Sequence, residues 1–184
     1  MNLFEKFSAA LPLSDFLTKH GIPAHKERWD RTFNQIALTE DQKNLLKQFK
    51  RETPVLVLAG AWCGDCSGQC PAFERFAEIA PCLKIRYLDR DVHADVQAAL
   101  KINGGNRVPV AVFFSEDGME VSRYGERTLS QYRRMVEQQT GEACGSGIVG
   151  KDALAQIVQE WLNEFERVQW ILRLSPRLRT KHGD

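Results

Sequence analysis

The chain has 184 residues, 43% of them hydrophobic and 27% charged, so it can bury one substantial core with appended elements, and one domain is expected. Its 25 basic residues against 24 acidic leave a net charge of +1, and no bulk field points to nucleic acid, a membrane surface or an acidic ligand. Five cysteines, an odd number, do not read as a structural disulfide framework.

Residues 2–20 suggest one or two short helices, with Phe4, Phe7, Leu11, Phe16 and Leu17 on the apolar side and Pro12 dividing them. The same stretch carries Glu5 and Asp15 and breaks its apolar run every few positions, unlike a secretory signal, and no uninterrupted apolar segment reaches spanning length. A soluble, cytoplasmic protein is the expectation. Thr32 to Leu38 could supply a strand, although the extension over residues 1–53 reads mainly as helical. Thr39 to Lys50 is a clearer helix: Thr39 can cap it, Gln42 stands at the capping-box position, and Leu45, Leu46 and Phe49 share one face.

Val55 to Leu58 is a continuous apolar run of strand length, as expected of a central strand covered on both faces. The chain then enters a helix that begins near Cys63 and contains Pro71, which should bend it while Phe73 and Phe76 face the core. A strand near Leu83 to Asp89, a helix near Ala94 to Ile102 and the breaker cluster Asn103 to Asn106 follow. Val110 to Phe114 reads as a strand entered through Pro109, joined by the Asp117-Gly118 turn to a partner over Met119 to Tyr124, and Thr128 can cap a helix running through Gln139. Beyond the glycine-rich stretch Gly141 to Gly150, Asp152 to Leu174 is the longest periodic helix. Its wide apolar stripe (Leu154, Ile157, Val158, Trp161, Leu162, Phe165, Val168, Ile171, Leu172) must pack on the same domain or serve as a homodimer or partner face. Ser175 and Pro176 end it, leaving Arg177, Arg179 and Lys181 as a basic, solvated tail.

The chemistry concentrates in Trp62-Cys63-Gly64-Asp65-Cys66, at the seam between strand and helix. Two cysteines so spaced can close on each other or share a metal. A cysteine at the first turn of a helix faces unpaired backbone amides, which favour the thiolate, the form that attacks disulfides. Cys70, four positions after Cys66, lies on the same helical face and could be a third redox or metal ligand, or a small core residue. Cys82 and Cys144 read as core residues, with Cys144 also able to meet a partner thiol from its glycine-rich surroundings. His20, His25, His93 and His182 show no metal-ligand spacing.

Taken jointly, Trp62 before Cys63, Pro71 five positions beyond Cys66, the Val108-Pro109 dipeptide before a strand and Gly125 after the hairpin make the segment from about Pro54 to Gln139 resemble thioredoxin. The resemblance implies an α/β thioredoxin-like fold with a central four-stranded mixed sheet over residues 54–140, flanked by the helical extension 1–53 and by 141–184. It implies thiol-disulfide exchange, with Cys63 as attacking thiol and Cys66 as resolving thiol, and a cis peptide at Pro109. Trp62, Val108 and Pro109 would form the substrate surface. Disulfide-containing client proteins would be the partners, with no cofactor bound and reducing equivalents drawn from a flavin-containing thioredoxin reductase fed by NADPH, or from another dithiol donor.

Two positions depart from the family pattern. Asp65 replaces the usual proline and, with Gly64, is expected to tune the site: its carboxylate repels a neighbouring thiolate, and one pKa unit would amount to roughly 1.4 kcal/mol, or about 30 mV in a two-electron couple, making the protein reducing. Val57 stands where the family usually carries a buried acid, which leaves Asp65 or water to assist deprotonation of Cys66. Three readings result: an oxidoreductase, a client-binding module on the same fold with incidental redox activity, and a metal or iron-sulfur site through Cys63, Cys66 and Cys70, for which no fourth ligand is evident.

Overall fold

A computed structural model of the protein describes residues 2–141 and 152–184. Its centre is a four-stranded sheet of β1 (Thr53–Ala59), β2 (Leu83–Asp89), β3 (Val110–Phe114) and β4 (Glu120–Gly125) in the order β2-β1-β3-β4. The β1–β2 pair is parallel and the other two pairs are antiparallel, so the sheet is mixed. Every residue of β1 is buried, as its unbroken apolar run requires of a strand covered on both faces.

The parallel crossover from β1 to β2 passes through α5 (Gly64–Gln69) and α6 (Pro71–Ile79). Pro71 does more than bend one helix: lacking an N–H and with φ preset, it opens a second helix as its first residue, while the Cys70 N–H still reaches the Cys66 carbonyl at 2.9 Å. Beyond β2, α7 (Ala94–Ala99) is shorter than the periodicity suggests, and α8 (Leu129–Thr140) follows the hairpin, with the Thr128 N–H donating to the Gln131 side chain.

Ahead of the sheet lie α1 (Leu3–Ala9), α2 (Leu13–His20), α3 (Pro23–Gln35) and α4 (Glu40–Leu46). Pro12 separates the first two as the sequence indicates, and Thr39 caps α4 by accepting from the Gln42 N–H at 3.2 Å. Thr32 to Leu38 forms no strand. Its first half completes α3, started by Pro23 at a position where a missing N–H costs nothing. The strand-like pairing comes earlier, at Leu11, whose N–H and carbonyl exchange hydrogen bonds with Tyr87 at 2.9 and 2.7 Å on the outer edge of β2.

After the described segment resumes at Asp152, that residue caps α9 (Ala153–Leu174) by accepting from the Leu154 and Ala155 amides. Most of the apolar stripe of α9 is covered within the chain, Ile171 remaining exposed: Trp161 meets Phe73 and Tyr124 edge-on, and Phe165 packs among Phe73, Phe76 and Phe113. The basic tail folds as α10 (Pro176–His182) and buries Leu178, while its basic residues stay exposed, as expected of a solvated terminus; Arg177 pairs with Asp117, and Lys181 and His182 with Glu116, on the β3–β4 turn. Cys144 and most of the glycine-rich stretch fall outside the described residues. Among the described residues no helix is long and apolar enough to cross a membrane.

Candidate active site

β1 ends at Ala59, and the short loop Gly60 to Trp62 delivers Cys63 to the start of α5 as its N-cap. A serine or aspartate usually caps a helix with an oxygen; here the sulfur does so, accepting from the Cys66 N–H at 3.4 Å. The Cys63 thiol in turn donates to the Val108 carbonyl at 3.7 Å. That contact brings together the two segments that the sequence placed forty-five residues apart on the same site. The Val108–Pro109 peptide is cis, and Gly125 lies alongside: with φ +151° and only 2.4 Å between a notional Cβ and the Pro109 carbonyl oxygen, that position excludes a side chain.

Cys63 is less open than a helix tip suggests. It is 7% exposed, tucked between the start of α5 and Val108, while Cys66 and Cys70 are wholly buried. Both Cys63 and Cys66 hold their protons well above the ordinary thiol range. For Cys63 the hydrogen bond shared with the Cys66 thiol is the main cause and burial the next; the amides of Cys66 and Asp65 act in the opposite, thiolate-favouring direction that the sequence implies, but are outweighed. For Cys66 burial dominates.

Asp65 does not face the thiols unopposed. Its carboxylate pairs with Arg127 at 2.6 Å, and Arg127 also bonds the buried Glu126, itself held by Arg107 at 2.7 Å. The repulsion expected from Asp65 is therefore divided with a guanidinium on the far side. Gly64 has open space where a Cβ would stand. Trp62 is 41% exposed and anchored, with its indole N–H on Asp91 at 3.0 Å and Arg90 over its ring at 4.6 Å. Val57 is buried, so β1 offers no acid beneath the cysteines.

Residues that the sequence reading missed hold the loop in place. On α3, Trp29 donates its indole N–H to the Ala61 carbonyl at 3.0 Å and Arg28 donates to the Trp62 carbonyl at 2.6 Å, gripping the two peptides that precede Cys63. Gln69, fully buried at the end of α5, donates to the Glu126 carbonyl and accepts from the Trp161 indole, both at 2.9 Å. Only the Pro23 start and the Trp29, Phe33 spacing marked α3 in the sequence, and nothing marked Gln69. Among the described residues no three of His, Cys, Asp and Glu are grouped to hold a metal ion.

A family model described as thioredoxin matches residues 11–139, and the chain belongs to the thioredoxin family. The match begins well ahead of Pro54, where the motif-level likeness starts, and takes in α2 to α4. Two solved structures share the fold over most of the chain. A Pseudomonas aeruginosa protein of unknown function is 14% identical with a TM-score of 0.69, covering 88% of this chain and 93% of its own; an HIV epitope-scaffold is 16% identical with a TM-score of 0.67, covering 89% and 94%. Fasciola hepatica thioredoxin is 24% identical over 53% of this chain and 90% of its own, with a TM-score of 0.36. No curated protein matches. With a thioredoxin-like fold and a close Cys63/Cys66 pair, the chain is a thiol oxidoreductase-like module.

Proposed function

We propose that this chain reduces or exchanges disulfides of client proteins through the Cys63/Cys66 dithiol. The observation that carries the reading is the seat of Cys63: its sulfur caps α5 and lies on the carbonyl of Val108, beside Pro109 and Trp62. In this reading an extended client segment lies along the Val108–Pro109 edge against Trp62. The Cys63 thiolate attacks the client disulfide, forms a mixed disulfide and expels one client thiolate, which takes up a proton. Cys66 then attacks the Cys63 sulfur, closing the Cys63–Cys66 disulfide and releasing the second client thiol, so two electrons pass from the chain to the client. A thioredoxin reductase fed by NADPH, or another dithiol donor, resets the pair without a cofactor bound here. Gly64 and Asp65 tune the couple, Asp65 through the balance it strikes with Arg127.

Insulin reduction by dithiothreitol, with turbidity as readout, tests this. Wild type accelerates it and Cys63→Ser does not; acceleration indifferent to that change overturns the reading. A second reading, a client-binding module with incidental redox activity, draws on the covering of Cys63 and its raised pKa. It predicts that second outcome, together with client capture unaffected in Cys63→Ser.

A further inference from the structure

Cys66 must lose a proton to resolve the mixed disulfide, and the position beneath it on β1 is Val57, which can take none. The residue paired with Val57 across the parallel register is Tyr87 of β2, so its side chain emerges on the same face of the sheet, under α5 and α6. Tyr87 is completely buried, and its hydroxyl donates to Glu74 at 2.8 Å. Glu74 in turn follows Cys66 and Cys70 at successive four-residue steps, one helical turn apart, which stacks thiol, thiol and carboxylate along the inner side of α5 and α6. Cys70 lies near enough to Cys66 to help hold its proton, and Tyr87 feels the charge of both.

Glu74 also has a way out. It borders a surface hollow between α2, α3 and α6, beside Leu17, Trp29 and Pro71, and a second one against β2. The charged groups that surround it are Lys26 and Asp30 of α3, Glu78 of α6, and Lys84 and Arg86 of β2. Burial raises its carboxyl above the usual range, the Tyr87 hydroxyl draws it back, and Glu78 adds to the rise.

We propose that Glu74, oriented by Tyr87, receives the proton that Cys66 gives up, with the Cys70 thiol between them, and passes it to solvent through the hollow beside α3. This rests on the oxidoreductase reading and names the base that β1 lacks. As the Cys66 sulfur bonds to Cys63 and the client sulfur departs with the electron pair of the broken bond, the Cys66 proton moves to the Glu74 carboxylate, which afterwards loses it to water. Glu74 touches neither client nor reacting sulfur and is a positioning residue.

The test is a single turnover of the reduced protein with a chromophoric aromatic disulfide, between pH 5 and 9. The first coloured thiolate released reports attack by Cys63 and the second reports resolution by Cys66. In wild type the second phase rises with pH through an inflection above the ordinary carboxyl range, since the acceptor must be ionised. Glu74→Gln is expected to slow that phase about a hundredfold at neutral pH and remove the inflection, with the first phase unchanged. Glu74→Asp retains an inflection, and Tyr87→Phe moves it upward, because the lost hydroxyl no longer stabilises the carboxylate. A second phase with wild-type rate and profile in Glu74→Gln, or, should that variant not fold, an unmoved inflection in Tyr87→Phe and Glu74→Asp, overturns the proposal. If wild type itself shows no second release, or one that persists in Cys66→Ser, it is the oxidoreductase reading that fails.

Discussion

Two helices from outside the central motif hold the cysteine loop, and they do so by opposite means. From the C-terminal side, α9 buries a row of large apolar side chains against α5, α6 and the sheet, with Trp161 and Phe165 seated among aromatic rings. From the N-terminal side, α3 buries little beyond Trp29 and acts by two polar bonds aimed at backbone carbonyls one and two residues before Cys63. The first supplies stability over a wide area. The second fixes where one peptide points. Stability and aim are thus assigned to different helices, and substitutions should separate them.

The largest expected effect is on the apolar side. Trp161→Ala should cost about 3–5 kcal/mol in denaturant unfolding, because it opens a cavity between Phe73 and Tyr124. Gln69→Leu, which strands the Trp161 indole and the Glu126 carbonyl in the interior, should cost about 1–3 kcal/mol. Trp29→Phe keeps most of the packing and loses the bond to Ala61; it should destabilise by about 1 kcal/mol yet slow insulin reduction several-fold, a loss of rate out of proportion to the loss of stability. Smallest is Arg28→Met, about 1 kcal/mol or less on a half-buried side chain, with a lesser slowing of the same assay. If Trp29→Phe and Arg28→Met lower stability and rate in the same proportion as Gln69→Leu, the division between the two helices does not hold.

That division also explains what the sequence disclosed. The stripe of α9, the buried run of β1 and the β3–β4 turn are periodic patterns, and periodicity is a local property that a single chain displays. Cys63, Cys66, Val108 and Pro109 could be assembled on one site because a family pattern links positions that are far apart. Trp29, Arg28, Gln69 and Glu74 act through single polar atoms meeting distant backbone or side-chain groups, and no spacing rule encodes such a meeting. The same holds for Asp65, whose charge was readable while its neutralising partner, Arg127, lay sixty-two residues away. The ion pairs of the tail at Pro176 to His182 were hidden for a related reason: its basic residues are solvated, as their composition indicates, but Glu116 and Asp117, which meet them, lie far away in the sequence.

The bridge between Leu11 and Tyr87 carries a consequence for association. A sheet with four strands has two open borders, each a template on which another chain could polymerise. One of them, along β2, is occupied midway by Leu11 and flanked by α2, which denies an incoming strand a continuous ladder. The remaining border is β4, where Glu120 and Arg123 face outward as a charged pair and the register with β3 slips between Phe113 and Phe114. Both borders are therefore blunted, one by a short segment of the chain laid across it and the other by charge and irregular pairing, and a strand could add along β2 only after α1 and α2 had peeled away.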